Sequence, residues 1–383
     1  MLSCQKHLFQ IPEHVSYLNC AYFSPLLSEV AEIGRQSIER KLHPYTVQTA
    51  DFFDPVVAVQ KRFAKLIHGS DWQRIAIVPS VSYGMANVKA NIQPVKGKSN
   101  IVLTKDQFPS NYYPWHRLAQ EQALTIQTIG PPPQAQSRGE AWNEQILAAI
   151  NADTLLVAIS HVHWADGTLF DLPAIGQRCR QHGALLIVDA TQSIGALPFD
   201  VNIIQPDAVV CAAYKWLLGP YGIGLAYYGP YFDNGQPIED NWINRLGSDD
   251  FQNLVHYQDN YRAKAARYSV GEQSNLFAIP MLQAALDQLL DWKVAPIQAY
   301  CQQLTTGPIE KLCALGAQIE AAPYRAAHLF GIQMPPHFDL TALQQRLKAA
   351  QVFVSLRGQA IRVSPNVYNE AKDFERLLDC LTA

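Results

Sequence analysis

Charge is scarce in this chain of 383 residues: Asp, Glu, Lys and Arg make up only 16% of it, against about 25% in an ordinary globular domain. The 30 Lys and Arg nearly balance the 33 Asp and Glu, leaving a formal charge of -3, so there is no basic field of the kind that binds nucleic acid. Also missing is any apolar run approaching the roughly 18 residues of a membrane span. The opening MLSCQKHLFQIPEHV has no basic stretch leading into an apolar core, and so does not read as a targeting segment. The 7 cysteines, Cys4, Cys20, Cys179, Cys211, Cys301, Cys313 and Cys380, are scattered with no CxxC pair, which argues against a structural zinc site, an iron-sulfur cluster or a disulfide framework. The expectation is a cytoplasmic globular protein with no nucleic-acid or membrane partner. Apolar residues, by contrast, reach 48%, enough for a sizeable core, and the length suits a large unit with a smaller companion. Few charges also imply that part of the surface is covered, so a homodimer is expected.

Apolar bursts separated by amphipathic pieces organise the chain. RIAIVP ending at Pro79, NIVLT at 100–104, ALTIQTIG at 123–130, TLLVAIS at 154–160, ALLIVDA at 184–190, DAVVCAA at 207–213 and GIGLAYYG at 222–229 read as seven short strands of a sheet covered on both faces. Two helices, near 28–43 and 53–67, precede them, and helical pieces are expected at 83–92, from Ser110, from Trp142 and from Leu172. PPPQAQSRGE at 131–140 reads as a break. Residues 275–292 form a long amphipathic pattern. Beyond it come a second helix, the candidate strands HLFGIQM, QVFVSL and AIRVS, and a last helix, EAKDFERLLDCL. The fold class is therefore α/β, a large mostly parallel seven-stranded sheet domain with a smaller α+β domain. Residues 16–275 are assigned to the first, and 1–15 with 276–383 to the second.

The stretch 184–229 carries the chemistry. Asp189 ends a strand, Gln192 follows three residues later, and Lys215 lies 26 residues beyond the acid, just after another strand and ahead of Gly219, Gly222 and Gly224. Strand C-termini are where ligands collect in open α/β sheets, so Asp189 and Lys215 can meet there. Their chemistry is complementary to pyridoxal phosphate: an amine forms a Schiff base with the aldehyde, and a carboxylate keeps the pyridine nitrogen protonated. Lys215 is also the only lysine between Lys105 and Lys264. Alone, Asp189 could be a cap and Lys215 a snorkelling surface side chain; together they point to the cofactor.

With those residues in view, the sequence resembles the class V aminotransferase family of fold-type I pyridoxal phosphate enzymes, which includes cysteine desulfurases, selenocysteine lyase-like proteins and isopenicillin N epimerase-like proteins. The resemblance runs through YLNCAYFSPLL at 17–27, PSVSYGMANV at 79–88, FPSNYYPW at 108–115, SHVHWADGTLFDL at 160–172, VDATQSIGALPFDV at 188–201, YKWLLGPYGIG at 214–224 and IRVSPNVYN at 361–369. It implies that Lys215 carries the cofactor, Asp189 pairs with the ring nitrogen and Gln192 approaches the ring hydroxyl. Ser80, Val81 and Ser82 would open a helix under the phosphate, with Tyr214 adding a hydroxyl. Phe108 would stack on the ring. His163, or Trp164 beside it, would reach the cofactor, and His161 is expected to be a satisfied structural histidine, since HVH supplies too few ligands for a metal. Arg362 would hold the substrate α-carboxylate, with Asn19 on the same substrate. Gln273, in the RYSVGEQSN stretch where desulfurases carry RxxxGT, would reach the phosphate across a dimer.

The function implied is a pyridoxal phosphate enzyme acting on an amino acid through an external aldimine, in the first place an aminotransferase. The alternatives are a C-S or selenocysteine lyase working by β-elimination, an amino-acid epimerase, or a cofactor-binding protein without turnover. Cysteine desulfurization is disfavoured because Lys348–Arg362 contains no Cys; Cys313, the nearest earlier one, is expected on the buried face of its helix.

Overall fold

Uniform apolar runs bounded by Gly, Pro and Asp need a sheet with both faces covered, and that is what forms. In a computed structural model describing residues 2–132, 137–335, 338–357 and 360–382, all seven expected strands are present: β1 (Ile75–Val78), β2 (Asn100–Thr104), β3 (Thr125–Ile129), β4 (Thr154–Ser160), β5 (Leu185–Asp189), β6 (Ala208–Ala212) and β7 (Gly224–Tyr228). They form one sheet in the order β1-β7-β6-β5-β4-β2-β3. β7 is antiparallel to β1 and β6, and the other pairings are parallel. Every residue of β1, β2, β4 and β6 is buried. β3 is the exception: it lies at the sheet edge, and Thr125 and Thr128 are exposed.

Because six of the seven strands run the same way, their C-terminal ends share one edge. Val78, Ser160, Asp189 and Ala212 all arrive there, and the parallel register sets Ser160 directly beside Asp189. The turn after β5 is pressed against the segment after β6 at Gly195. Its φ is +103°, and an added Cβ would lie 2.2 Å from the Trp216 carbonyl oxygen, so only glycine allows this approach.

Some sequence expectations shift. The helix expected from Trp142 starts at Arg138, inside the proline-rich break, of which residues 133–136 lie outside the described residues. The piece from Ser110 begins with a short 3-10 turn, Pro109–Asn111, before the helix Tyr113–Gln122. A helix not expected, Leu340–Ala349, is capped by Asp339, whose side chain accepts from Thr341 N and Ala342 N. QVFVSL divides in two. Val352–Phe353 pairs in parallel with Ser16–Tyr17, while β9 (Ser355–Arg357) joins β8 (Phe330–Gln333) and β10 (Ala360–Val363) in an antiparallel sheet ordered β9-β10-β8. Phe330, Ile332, Leu343, Ile361, Val363 and Phe374 form an apolar cluster under this second sheet. Residues 16–20 join the same side, with Leu18 in that cluster and Cys20 N donating to Ser364 O. Cys313, expected inside, is exposed: Ile309 and Leu312 take the buried stripe of helix Val294–Ala314, and the next residue turns about 100° away. Among the described residues no helix is long and apolar enough to cross a membrane.

Candidate active site

A cavity of about 290 Å³ opens at the shared strand edge, lined by Ser80, Val81, Ser82, Phe108, Ser160, Trp164, Asp189, Thr191, Gln192, Tyr214 and Lys215 among others. Its volume is close to the roughly 300 Å³ lower limit of small-molecule sites. Of the eleven cofactor and catalytic positions expected from sequence, those in this lining come from five separate strand ends.

At one end Ser80 caps the helix Val81–Ala90, its Oγ accepting from Tyr83 N at 3.2 Å. The first amides of that helix have no intrahelical acceptor, and with the helix dipole they suit an anion such as phosphate. Tyr83 in turn donates to Glu239 Oε2 at 2.7 Å, and the other oxygen of Glu239 accepts from Gly271 N at 2.9 Å, which fixes the helix start against the 270s turn.

Asp189 forms the floor. Its carboxylate accepts from Thr191 N at 3.0 Å; burial raises its pKa, opposed by the Thr191 bonds and the Lys215 charge. A buried acid held this way favours a cationic N–H opposite it. Lys215, 8% exposed, has its Nζ 5.7 Å from the Phe108 ring centre and 5.5 Å from that of Tyr214. Burial is the main cause that lowers its pKa to about 8, with Arg362 adding to the fall and Asp189 opposing it. An amine at this value is substantially unprotonated just above neutral pH, as a nucleophile requires. In cofactor-free protein, trace acylation of Lys215 should therefore rise steeply between about pH 7 and pH 9, below the range of an ordinary lysine near 10.4. Mass spectrometry of the peptide carrying Lys215 reads this, and labelling that stays flat to about pH 10 contradicts the low value.

Gln192 is held by both ends of its amide. Its Oε1 accepts from Trp216 Nε1 at 2.8 Å, and its Nε2 donates to Ala21 O at 3.2 Å. Indole N–H can only donate, so the oxygen faces Trp216 and the NH2 faces Ala21 O, with one hydrogen left over. His328 supports the same turn by donating from Nε2 to Gln192 O at 2.7 Å.

Pyridoxal phosphate, the cofactor expected from sequence, fits the donor set. The helix start suits its phosphate, Asp189 its ring nitrogen, the spare Gln192 hydrogen its ring oxygen and Lys215 its aldehyde. Two lining atoms, Ser160 Oγ and Gln107 Nε2, are buried without a protein partner, an arrangement that costs free energy unless a polar ligand engages them.

Next to this cavity lies a second cluster. Arg362 is 1% exposed; its Nη1 donates to Trp164 O at 2.8 Å and its Nη2 to Ser355 Oγ at 3.4 Å, while Nε is buried without a partner. Ser355 Oγ donates to Asn19 Oδ1 at 2.8 Å. Burial and then the Arg357 charge lower the pKa of Arg362 to about 9, so it stays cationic at neutral pH.

Several expectations need correction. His163 does not reach the cavity: its Nδ1 bonds Asp166 Oδ1 at 2.9 Å and its ring packs on Trp142. Along this extended segment Ser160, Val162 and Trp164 face the cavity, so the intervening His161 and His163 face away. His161 is buried against Phe199, but its Nδ1 has no partner, so it is not fully satisfied; burial lowers its pKa to about 3. Gln273, expected to reach the phosphate across a dimer and so not at its own chain's site, lines a separate small cavity with Gln60 and Trp72. Its turn, closed by Gln273 N donating to Val270 O, buries the side chain. Sequence reading did not single out Ser160, Thr191, Trp216, Ser355 or Arg357.

The family described as Aminotransferase class-V matches residues 34–377. The chain is 29% identical over 329 residues to the protein named uncharacterized aminotransferase YcbU of Bacillus subtilis, covering 85% of this chain and 82% of that one. It is 24% identical over 328 residues to isopenicillin N epimerase of Amycolatopsis lactamdurans, covering 82% and 81%. Among solved structures, an apo cysteine desulfurase from Thermococcus onnurineus NA1 superposes with a TM-score of 0.80 at 18% identity, covering 99% of this chain and 97% of that one.

Proposed function

The chain belongs to the class-V aminotransferase family of fold-type I enzymes, which act on amino acids with pyridoxal phosphate, and within that family we propose that it is an aminotransferase. The observation that carries this reading is the juxtaposition of a depressed lysine amine at Lys215, a buried acid at Asp189 and a buried guanidinium at Arg362. Bound in the cavity, the cofactor supplies an aldehyde for amines to condense with and a ring that takes up electron density from Cα.

The residues divide the remaining work. Arg362, with Ser355 and Asn19 behind it, binds and orients the α-carboxylate, which fixes which Cα bond stands across the ring. Lys215 would be the base that takes the proton from Cα and would return one to the carbon of the cofactor's aldehyde. Asp189 keeps a proton at the ring nitrogen, and Gln192 donates to the ring oxygen. Phe108 and Trp164, whose rings meet edge to face at 5.5 Å, cover the open side against water.

A cytoplasmic homodimer is part of the proposal. The exposed Leu42, Tyr45, Val255 and Tyr257 side chains support a covered surface. The division near residue 275 belongs to it as well, supported by the separate apolar cluster under the small sheet; residues 16–20, expected in the larger part, pack with the smaller one. Cysteine desulfurization remains disfavoured: residues 348–362 carry no cysteine, and the exposed Cys313 lies on a helix outside the cavity lining. The test is an amino-acid panel with a keto-acid acceptor, read for keto acid formed, stereochemical inversion and thiol or sulfide released. Acceptor-dependent keto acid supports aminotransfer. Pyruvate with released thiol assigns β-elimination in its place, and inversion alone assigns an epimerase.

A further inference from the structure

Charge around the substrate end of the cavity does not balance. Arg362 and Arg357 both lower the proton affinity of Lys215, Arg357 also lowers that of Arg362, and Asp189 is the one carboxylate among the groups that shift Lys215. Among the described residues no Asp or Glu lies within 4.0 Å of the charged nitrogens of any of the three. The phosphate of the cofactor belongs at the opposite end, over Ser80–Ser82. A single α-carboxylate would answer only one of the two guanidiniums.

Arg357 is placed to take a second anion. In the antiparallel pairing Ser355 lies opposite Arg362, and Arg357 lies opposite Ala360. Alternate residues of a strand share a face, so Arg357 is on the same face as Ser355 and Arg362, two positions or about 7 Å further along. Its guanidinium stands 5.6 Å from the centre of the Trp164 ring, the same residue whose carbonyl oxygen accepts from Arg362 and whose ring meets Phe108 on the cavity wall. Trp164 is itself tied down, its indole donating to Asp106 O at 2.7 Å. The Nε atoms of both arginines are buried without protein partners; Arg362 gives its Nη1 and Nη2 to Trp164 O and Ser355 Oγ, and Arg357 its Nη1 to Leu356 O, so each guanidinium keeps donor capacity for a carboxylate.

We propose that the substrate is a dicarboxylic amino acid, with Arg362 holding its α-carboxylate and Arg357 its side-chain carboxylate. This rests on the amino-acid enzyme reading above and names its substrate class. A neutral side chain would leave Arg357, beside the Trp164 wall of the cavity, without a carboxylate, so the selection works by charge and by reach together.

Unreactive acids separate this proposal from turnover. Holoenzyme is titrated with succinate, glutarate and butyrate, and binding is followed by the cofactor absorption band. The diacids should bind at least about tenfold more tightly than butyrate, and Arg357→Gln should erase that ratio while leaving butyrate within about twofold; Arg357→Lys should keep part of it. Equal binding of diacid and monoacid by the native protein, or an Arg357→Gln loss shared equally by butyrate, overturns the proposal, the second outcome marking a merely structural role. In turnover, Arg357→Gln should raise KM for aspartate or glutamate about tenfold and leave that for alanine unchanged. Preference for diacids with no amino acid consumed would sink the aminotransferase reading while sparing the anion site; consumption of neutral amino acids without diacid preference would do the reverse.

Discussion

Replacing Lys215 with alanine should lower turnover roughly ten-thousandfold or more, because the same amine both attaches the cofactor and moves the Cα proton. Losing either role alone would slow the reaction, and losing both leaves binding without chemistry. The substitution should not unfold the chain. Lys215 is buried without a carboxylate within 4.0 Å among the described residues, and burial already disfavours its charged form, so removing it relieves a desolvation cost rather than breaking an ion pair. Circular dichroism of the variant should match the native protein, and borohydride treatment should no longer fix the cofactor to the chain. Turnover at more than about one hundredth of the native rate would remove Lys215 from the role assigned to it.

Asp189→Asn should cost roughly a hundred- to a thousandfold in kcat, the scale found when one preorganised electrostatic partner is lost from a buried site. Asparagine keeps the shape and can still accept from Thr191 N, so the turn after β5 should survive. What it lacks is the negative charge that keeps a proton on the ring nitrogen. The loss should thus fall on kcat more than on KM, since substrate is held by Arg362 at the other side of the site. A kcat within twofold of native would sink the assignment, and a rise in KM with kcat unchanged would show that Asp189 acts on binding alone.

Much of this site is readable from residues alone, for a physical reason. Buried parallel strands leave runs such as TLLVAIS and DAVVCAA, and polar residues at the ends of such runs stand out, as Asp189 and Lys215 do. Less legible were side chains whose direction depends on the fold. His163 attracts notice as a titratable residue, yet the alternation that sends Ser160, Val162 and Trp164 to the cavity sends His163 to Asp166. That period of two was present in the sequence, but which face meets the ligand depends on how β4 sits beside β5. Cys313 was misplaced because one step of helical phase reverses inside and outside. Trp216 gives no sequence signal of its role in orienting Gln192, since an aromatic after a lysine reads as core. Arg357 is silent for a similar reason: only the pairing of β9 with β10 shows that it shares a face with Arg362.

Asn19 and Ser355 are joined by one hydrogen bond across 336 positions of sequence, whereas the strands around the cofactor all lie between Ile75 and Tyr228. Synthesis proceeds from the N-terminus, and domains generally fold as units while it does. The cofactor cup can therefore form well before residues 352–364 leave the ribosome, while the segment 16–20 waits for its partner. The protein should pass through a period in which it can hold pyridoxal phosphate but has no means of recognising a carboxylate, so that its reactive aldehyde chemistry is assembled first and its selectivity last.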